Sequence, residues 1–214
     1  MKRLGLLFLT ILLLSIGVGC MNRGYKGFTK NIEEFRNENN PKVVIELDNG
    51  KTMYLELFPE VAPITVENFL TLVDDNFYSG IIFHRVIEDF MIQGGDPTGT
   101  GMGGSNQKIK GEFLANGVEN YIPHVRGVIS MARSRDNNSA SSQFFICHAD
   151  APHLNGSYAA FGYLYEGYDC LDFVAGVKTN YNDKVAYEDK LAFFPFNLQL
   201  SVVQNHSLHH NPVI

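Results

Sequence analysis

The chain has 214 residues, of which 45% are hydrophobic and 20 are glycine, and its formal net charge is −6. This composition predicts one globular, turn-rich domain of ordinary size with extensions, and it excludes a disordered chain. The acidic balance also argues against a nucleic-acid partner, because phosphate binding requires a basic stripe.

Residues 1–20 have the features of a targeting segment and are set aside from the fold. Lys2 and Arg3 give it a positive start, and the apolar run that follows carries no charge. At about 16 residues this run is short for a spanning helix, which needs about 20. It ends in small residues before Cys20 and resembles a bacterial lipobox, with Gly17 in place of the usual Leu. We therefore predict a lipid on Cys20 that holds the domain at the extracytoplasmic face of the cell membrane. The alternatives are a secretory signal, which gives a secreted protein, and an uncleaved anchor.

Residues 21–41 form a polar stretch rich in asparagine. One or two helical turns are predicted within residues 32–38, and Pro41 ends them. We interpret this stretch as a flexible tether, whose root-mean-square reach would be about 25 Å. The folded domain is then predicted to occupy residues 42–190.

The first predicted strand, residues 42–48, alternates Val43, Ile45 and Leu47 with more polar positions. Asn49-Gly50 predicts a two-residue hairpin turn, in which both residues have positive φ, and residues 51–58 are the partner strand. Apolar residues then follow at helical spacing, which predicts a helix over residues 65–75. The later strands are short, separated by turns and mostly antiparallel, which favours a barrel closed on itself.

Residues 83–96, FHRVIEDFMIQGGD, predict a hairpin of two short strands, 82–87 and 91–93. Alternation sends Phe83, Val86 and Ile92 to a core. It gathers a guanidinium, an amide and two large apolar groups at one rim, namely Arg85, Gln93, Phe90 and Met91. This set predicts a pocket that holds an apolar group beside a carbonyl. The alternative is a half-buried hairpin whose Arg extends along the surface.

Residues 94–105 include seven that are Gly or Pro. A phosphate-binding loop would place Lys after its last Gly and continue into a long helix. Neither feature is present, so we predict a structural loop of tight turns beside the pocket.

Three more blocks follow: GVISMARS at 127–134, SSQFFICHADAPHLNG at 141–156 and AFG at 160–162. Together with FHRVIEDFMIQGGDPTGTGMGGS at 83–105, they resemble the cyclophilin family of peptidyl-prolyl cis-trans isomerases over about residues 41–189. The resemblance implies a mostly-β fold, a closed eight-stranded antiparallel barrel capped by two α-helices. The second helix would lie at 167–176, with Leu171, Val174 and Ala175 facing inward.

An isomerase of this class must lower a rotational barrier of about 18–20 kcal/mol at an X-Pro bond. At the top of the barrier the prolyl nitrogen gains a usable lone pair, and a cation that donates a hydrogen bond to it stabilises the twisted state selectively. We expect Arg85 to be this donor, since a guanidinium stays protonated at any working pH. Gln93, the second expected catalytic residue, would bind the substrate backbone beside it.

The resemblance also implies the substrate-binding residues. The proline ring would be lined by Phe90, Met91, Phe145 and Leu154, which leaves Phe144 for the core. Ala132 and Arg133 would pair with the substrate main chain, Gln143 would lie on the same wall, and Tyr158 would replace a pocket His. His153 stands where relatives have a Trp that binds cyclosporin, so we expect weak inhibition by that drug.

The expected partners are proline-containing polypeptides, and the expected role is assistance to the folding of exported or surface proteins by a monomer. The chemistry requires no cofactor or metal. His206, His209 and His210 lack a nearby Cys or carboxylate to complete a metal site, so we interpret them as a polar tail. The alternative function is a proline-peptide binding module with little or no turnover.

Residues 191–214 form an atypical C-terminal tail. Either residues 198–203 supply a displaced closing strand, or the family's usual end has been replaced. We favour replacement, because Phe193, Phe194 and Phe196 would expose an apolar surface. Cys147 and Cys170 are expected to be free thiols, with a disulfide between them as the alternative.

Overall fold

The computed structural model describes residues 27–28, 31–179 and 198–202. Within these ranges there are two α-helices, α1 (Pro63–Asp74) and α2 (Tyr168–Ala175), and short 3₁₀ helices at Ile32–Phe35, Leu114–Asn116 and Pro152–Leu154. The eight strands are β1 (Lys42–Leu47), β2 (Thr52–Leu57), β3 (Arg85–Ile87), β4 (Met91–Gly94), β5 (Val128–Met131), β6 (Phe144–Cys147), β7 (Ala160–Glu166) and β8 (Leu198–Val202). The predicted targeting segment, with Cys20, and most of the predicted C-terminal tail lie outside the described residues.

The eight strands form one antiparallel sheet in the order β3-β4-β6-β5-β7-β2-β1-β8. The prediction of eight antiparallel strands and two helices is therefore confirmed, but the prediction of a closed barrel is wrong. Among the described residues no ladder joins β3 to β8, and the sheet is an open half-barrel. β3 has only three residues, and the Gln199 side chain on β8 instead bonds Ser79 and Asn76, which follow α1.

The core lies inside the curved sheet, and the two helices cover it. From α1, Val66, Phe69 and Val73 are buried, and the Phe69 ring packs against Tyr78, Phe144 and Phe161 at centroid distances of 5.1 to 5.5 Å. From α2, the inward-facing set Leu171, Val174 and Ala175 is buried as predicted. Phe83, Val86 and Ile92 also belong to this core, as the alternation predicted. Phe144 belongs to it as well, as the resemblance implied.

Helix α1 begins two residues earlier than predicted, at Pro63. Proline is favoured at a first helical position because the missing N–H has no partner there in any case. The Glu112 carboxylate, from a distant loop, accepts from the main-chain N–H of Ile64 and Thr65 at 3.2 and 2.8 Å. This buried carboxylate replaces a local N-cap, so a sequence window around the helix does not contain the capping group.

The β1–β2 turn differs from the predicted two-residue form. Gly50 has a φ of +82°, but Asn49 is not in the positive-φ region. The N–H of Gly50 donates to the Leu47 carbonyl at 2.8 Å, and the N–H of Leu47 donates to the Lys51 carbonyl at 2.8 Å. This is a three-residue loop, in which a type I turn is followed by a left-handed Gly. A single Gly satisfies it, so Asn49 needs no positive φ.

Residues 31–41, predicted as flexible tether, are packed against the domain. Ile32 is 5% exposed and joins Phe58, Ile122 and Val128 in a small cluster on the outer face of the sheet. The buried Glu56 carboxylate accepts from Arg36 Nε, the main-chain N–H of Asn37 and Asn40 Nδ2, each at 2.9 Å. These contacts hold the segment against the domain, because the polar stretch carries both an apolar anchor and the donors for Glu56.

The C-terminal strand belongs to the sheet. β8 pairs antiparallel with β1, with Leu200 opposite Ile45, and Leu200 is 4% exposed. Of the two alternatives for the chain end, residues 198–202 thus show the displaced strand. Phe193, Phe194 and Phe196, which favoured replacement, lie outside the described residues.

Candidate active site

The β3–β4 hairpin presents Arg85 and Gln93 side by side. The two residues are directly opposite in the antiparallel ladder, and their side chains are half-buried. Directly opposed residues project from the same face of a strand pair. Val86 and Ile92, the next opposed pair, point to the other face and are buried in the core. The guanidinium and the amide therefore share one rim of the sheet.

The same face continues as a row across four strands. Gln93 on β4 is opposite Phe145 on β6, and Phe145 is opposite Ser130 on β5. Two residues before Gln93 on β4, and on the same face, Met91 is opposite Cys147. This register places polar Arg85 and Gln93 at one end of the row and buried apolar side chains beside them.

The row borders a cavity of about 180 Å³. This volume is below the range of about 300–1,000 Å³ that is usual for drug-sized ligands, and it suits one small ring. Its apolar floor is formed by Met91 and Phe145, which are 2% and 5% exposed, with Leu154 at 9%. The complete lining is Arg85, Phe90, Met91, Gln93, Ala132, Arg133, Phe145, Leu154 and Tyr158.

His124 supports the pocket from behind and was not predicted from the sequence. Its imidazole stacks on the Phe145 ring, with centroids 6.0 Å apart and an interplanar angle of 19°. Nε2 lies 3.1 Å from the Ser130 hydroxyl, and the side-chain Oδ1 of Asn155 accepts from the His124 main-chain N–H at 2.7 Å. Burial lowers the pKa of His124 to about 4, so the ring is neutral at physiological pH. A lone His after Pro123 carries no local signal for this role.

Arg133 builds one wall of the pocket with its side chain. The guanidinium lies over the rings of Tyr158 and Phe113, 4.8 and 5.1 Å from their centroids. Its Nε and Nη2 donate to the Ser157 carbonyl at 3.0 and 2.8 Å. The Tyr158 ring in turn meets Phe145 edge-on, with centroids 5.8 Å apart. The side chain of Arg133 thus fixes Tyr158, a cation–π arrangement that also rigidifies the pocket.

Gln143 connects the site to a second cavity of about 390 Å³, which also borders Gln93, Ala132 and Arg133. The Gln143 Oε1 accepts from Gln93 Nε2 at 2.8 Å. Its Nε2 donates to the carbonyls of Gly101 and Gly103 at 3.1 and 2.6 Å. The glycine-rich loop therefore holds Gln143, and Gln143 holds Gln93 next to Arg85.

The glycine-rich loop is organised around the buried carboxylate of Asp96. This group accepts from the main-chain N–H of Thr98, Gly101 and Gly103 at 2.8, 2.6 and 3.1 Å. Burial by itself raises the pKa of Asp96, but the hydrogen bonds outweigh burial and lower the pKa to about 2. The amides that a phosphate would need are bonded to an anion already, so the loop has the structural role that the sequence predicted.

The structure brings the predicted site residues together with little exception. Nine of the ten predicted catalytic and substrate-binding residues line the smaller cavity, and Gln143 lines the larger one next to it. Phe144 and Phe145 divide between core and pocket as expected. Cys147 and Cys170 are buried free thiols, as favoured from the sequence. The supporting residues His124, Phe113 and Asp96 were not predicted to have any role at the site.

Comparison with known proteins identifies the family. The family model described as "Cyclophilin type peptidyl-prolyl cis-trans isomerase/CLD" matches residues 42–193. The chain belongs to the cyclophilin family. It is therefore a cyclophilin-type peptidyl-prolyl cis-trans isomerase, as its sequence motifs indicated.

Named relatives and solved structures agree with this assignment. The cyclophilin is 43% identical over 150 residues to a peptidyl-prolyl cis-trans isomerase-like 1 of Neurospora crassa, covering 70% of this chain and 90% of the relative. It is 39% identical over 180 residues to a putative bifunctional phosphatase/peptidyl-prolyl cis-trans isomerase of Streptococcus pyogenes, covering 71% of this chain but only 37% of that relative's length. A crystal structure of a Cryptosporidium parvum cyclophilin superposes with a TM-score of 0.67 at 31% identity, over 78% of this chain and 99% of that one. A second structure of that protein, obtained in the presence of the dipeptide Ala-Pro, has a TM-score of 0.66 at 32% identity, over 77% and 99% of the two chains.

Proposed function

We propose that this cyclophilin isomerises X-Pro bonds with Arg85 as the hydrogen-bond donor to the prolyl nitrogen, and that its substrates are proline-containing segments of exported or surface proteins. The observation that carries the proposal is the register of the β3–β4 hairpin, which sets Arg85 opposite Gln93 at the rim of the apolar cavity. A proline ring in this cavity would present its amide to both groups. The related Cryptosporidium parvum structure obtained in the presence of Ala-Pro supports a ligand of this class.

Rate enhancement follows from the difference between the planar and the twisted amide. The planar amide nitrogen is a poor acceptor because its lone pair is delocalised into the carbonyl. Twisting localises the lone pair, so a hydrogen bond from Arg85 to that nitrogen is stronger in the transition state than in the ground state. The β3–β4 ladder places Arg85 at the rim of the cavity before the substrate arrives, so little backbone reorganisation accompanies the reaction.

The other residues of the site would hold the substrate so that only one side of the bond rotates. Gln93, fixed by Gln143, would bind a substrate carbonyl. Met91, Phe145 and Leu154 would enclose the ring. Ala132 and Arg133 follow β5 between the two cavities, where their main chain would run beside that of the substrate.

Turnover of a short Ala-Pro-Phe peptide tests this proposal. Arg85→Ala should lower kcat/KM about 100-fold, because removal of one preorganised donor to a transition state costs about 10²–10³ in rate. Arg135→Ala is the matched control, since Arg135 is exposed and borders neither cavity. Arg85→Lys should recover little, because Lys has no planar fork. Equal activity of the two Ala variants would refute the role of Arg85, and peptide binding without acceleration by the parent chain would favour a binding module.

We further propose that Cys20 is lipidated and that the protein acts as a monomer at the extracytoplasmic face of the cell membrane. The support is the sequence alone: a positive start, an uncharged apolar run and small residues before Cys20. In the part of the chain that the structure describes, no helix has the length and apolarity to cross a bilayer. Metabolic labelling with a fatty-acid analogue should mark the parent chain and leave Cys20→Ser unlabelled. Equal labelling of both would refute the anchor, and size-exclusion chromatography would test the monomer.

A further inference from the structure

The turn between β3 and β4 has an unfavourable backbone conformation directly beside the pocket. The N–H of Phe90 donates to the Ile87 carbonyl at 3.1 Å, which closes a four-residue turn. The third residue of this turn, Asp89, has a φ of +59°. A side chain is disfavoured in this left-handed region, and Gly is the usual occupant. Phe90 is the fourth residue of this turn and borders the pocket, so the position of the pocket wall depends on how the turn is held.

His148, in the segment after β6, supplies that support through two hydrogen bonds. Its Nδ1 accepts from the main-chain N–H of Asp89 at 2.9 Å. Its own main-chain N–H donates to the Phe90 carbonyl at 2.9 Å. One residue thus bonds the main chain on both sides of the Asp89–Phe90 peptide unit, and the imidazole side chain is only 11% exposed.

These contacts define where the proton of the neutral imidazole lies. Nδ1 accepts an amide hydrogen, so it carries none itself, and the proton is on Nε2. Nε2 lies 3.0 Å from Asp172 Oδ1 on α2, an oxygen that also accepts from Arg126 Nη2 at 2.6 Å. The neighbouring guanidinium of Arg126, and then His148, lower the pKa of Asp172, which is thus ionised at neutral pH.

Charged groups face His148 from each element packed against it. Asp89 on the hairpin turn has Oδ1 3.9 Å from Nδ1, and Asp172 on α2 bonds Nε2. Arg126, before β5, donates from Nη1 to the His148 carbonyl at 2.8 Å, and its main-chain N–H donates to Asp150 at 3.2 Å. Two carboxylates therefore face the imidazole ring, and one guanidinium contacts the His148 main chain.

We infer that His148 is a positioning residue that latches the β3–β4 turn, and that a second proton on its imidazole releases the latch and weakens substrate binding. A proton on Nδ1 would face the N–H of Asp89, so the 2.9 Å hydrogen bond cannot persist. Without that bond the left-handed backbone conformation at Asp89 loses its support, and the turn relaxes. Phe90 moves with it, and the wall of the proline pocket is displaced. The donor Arg85 lies at the other end of the hairpin, so KM rises while kcat changes little. The inference rests on the proposed function, since it concerns the same pocket.

Two substitutions separate the effect of the hydrogen bond from His148 to the turn from the effect of protonating the His148 ring. His148→Asn keeps an acceptor at the δ1 position and cannot gain a proton, whereas His148→Phe keeps the ring and has no acceptor. We would measure KM and kcat on an Ala-Pro peptide by NMR exchange spectroscopy at pH 8.0 and about 5.5, a range in which histidine side chains commonly titrate. The parent chain should show a KM about fivefold higher at the lower pH, comparable to the loss of one hydrogen bond. His148→Asn should show no such rise, and His148→Phe should have a high KM at both pH values.

One further pair of variants and one single variant exclude other origins of the pH dependence. Asp172→Asn should shift the pH dependence of KM, whereas Asp169→Asn on the same helix, which contacts Lys51 instead, should not. His153 is the competing source of pH dependence, because its ring lies 5.4 Å from that of Phe90. A pH-dependent KM that persists in His148→Asn, or that disappears in His153→Gln, would overturn the inference. Loss of Arg85 dependence would instead refute the proposed function, so the two failures are distinguishable.

Discussion

Replacing Asp96 with Asn tests whether a single buried charge holds the glycine-rich loop beside the site. Asp96 is 1% exposed, and its two oxygens accept from Thr98, Gly101 and Gly103. An Asn keeps one acceptor oxygen and turns the other position into an NH₂ group. If the oxygen serves Thr98, the NH₂ group faces the N–H groups of Gly101 and Gly103, and donors oppose donors.

The size of the effect follows from the pKa and the lost hydrogen bonds. Lowering the pKa of Asp96 from 3.8 to about 2 corresponds to roughly 2 kcal/mol of folding free energy at neutral pH. Unsatisfied buried donors add about 1 kcal/mol or more. We therefore expect Asp96→Asn to lose about 3 kcal/mol, which corresponds to a Tm lower by about 6–12 °C for a domain of this size.

The pH dependence has a definite sign. The pKa is lower in the folded state, so this stabilisation is complete above the unfolded value of about 3.9 and disappears as pH falls through about 2. Urea denaturation at pH 7 and pH 2.5 would measure the difference between parent and variant at each pH. The difference in the free energy of unfolding between parent and variant should be smaller at pH 2.5 by most of the 2 kcal/mol. Protonation of Asp96 at low pH removes from the parent the charge that the variant lacks at every pH.

Asp48→Asn is the control for this measurement. Asp48 lies exposed in the β1–β2 loop, so the same chemical change should leave stability within about 0.5 kcal/mol of the parent. Equal denaturation midpoints for the two variants, or a difference that does not change with pH, would refute the account of the loop. The loop also holds Gln143, so Asp96→Asn should raise KM as well.

Two other results are expected. Glu56→Gln should lower the free energy of unfolding by about 1–3 kcal/mol, because burial raises the pKa of Glu56 but the donors of Asn37, Asn40 and Arg36 outweigh burial and hold it ionised. Urea denaturation would measure this loss, with Glu38→Gln as the exposed control. Equal stability of the two variants would contradict the packing of residues 31–41 around Glu56. In a Cys20→Ser chain, Cys147 and Cys170 should not react with a thiol reagent at pH 8 until the protein unfolds. Burial raises the pKa of each thiol to about 12, so neither is a thiolate at that pH. Rapid reaction of the native chain would contradict this expectation.

The hairpin residues of the candidate site could be predicted from the sequence because their placement depends on local alternation. The site residues outside the hairpin followed only from the resemblance to the family. In the hairpin, the period of two assigns Arg85 and Gln93 to one face and Val86 and Ile92 to the other, and the structure has this arrangement. The same rule separated Phe144 from Phe145 once the pocket side was known. A pattern within about fifteen residues is enough, since both strands and the turn are contained in it.

Boundaries were less predictable because distant groups set them. The N-terminus of α1 is capped by Glu112, nearly fifty positions away in the chain, so the helix begins at Pro63 instead of residue 65. Residues 31–41 are polar, and this composition predicted a flexible tether. In the structure, polar groups of the segment instead donate hydrogen bonds to the buried Glu56 carboxylate. A short stretch of sequence gives the local composition, but it does not show which distant acceptor a polar group will bond to in the fold.

The residues that hold the pocket from outside its lining could not be predicted from the sequence. His124, Asp96 and His148 each act through a contact with a segment that is adjacent in space, and none belongs to a periodic apolar pattern. Each of these residues acts through one acceptor or one flat surface placed against a distant segment, so no residue type or spacing in the sequence marks it as part of the site. The pocket therefore identifies the chemistry of this cyclophilin, and the supports should determine how its substrate binding responds to pH and to mutation. His148 is the sharpest case, since its ring supplies an acceptor that one added proton would remove.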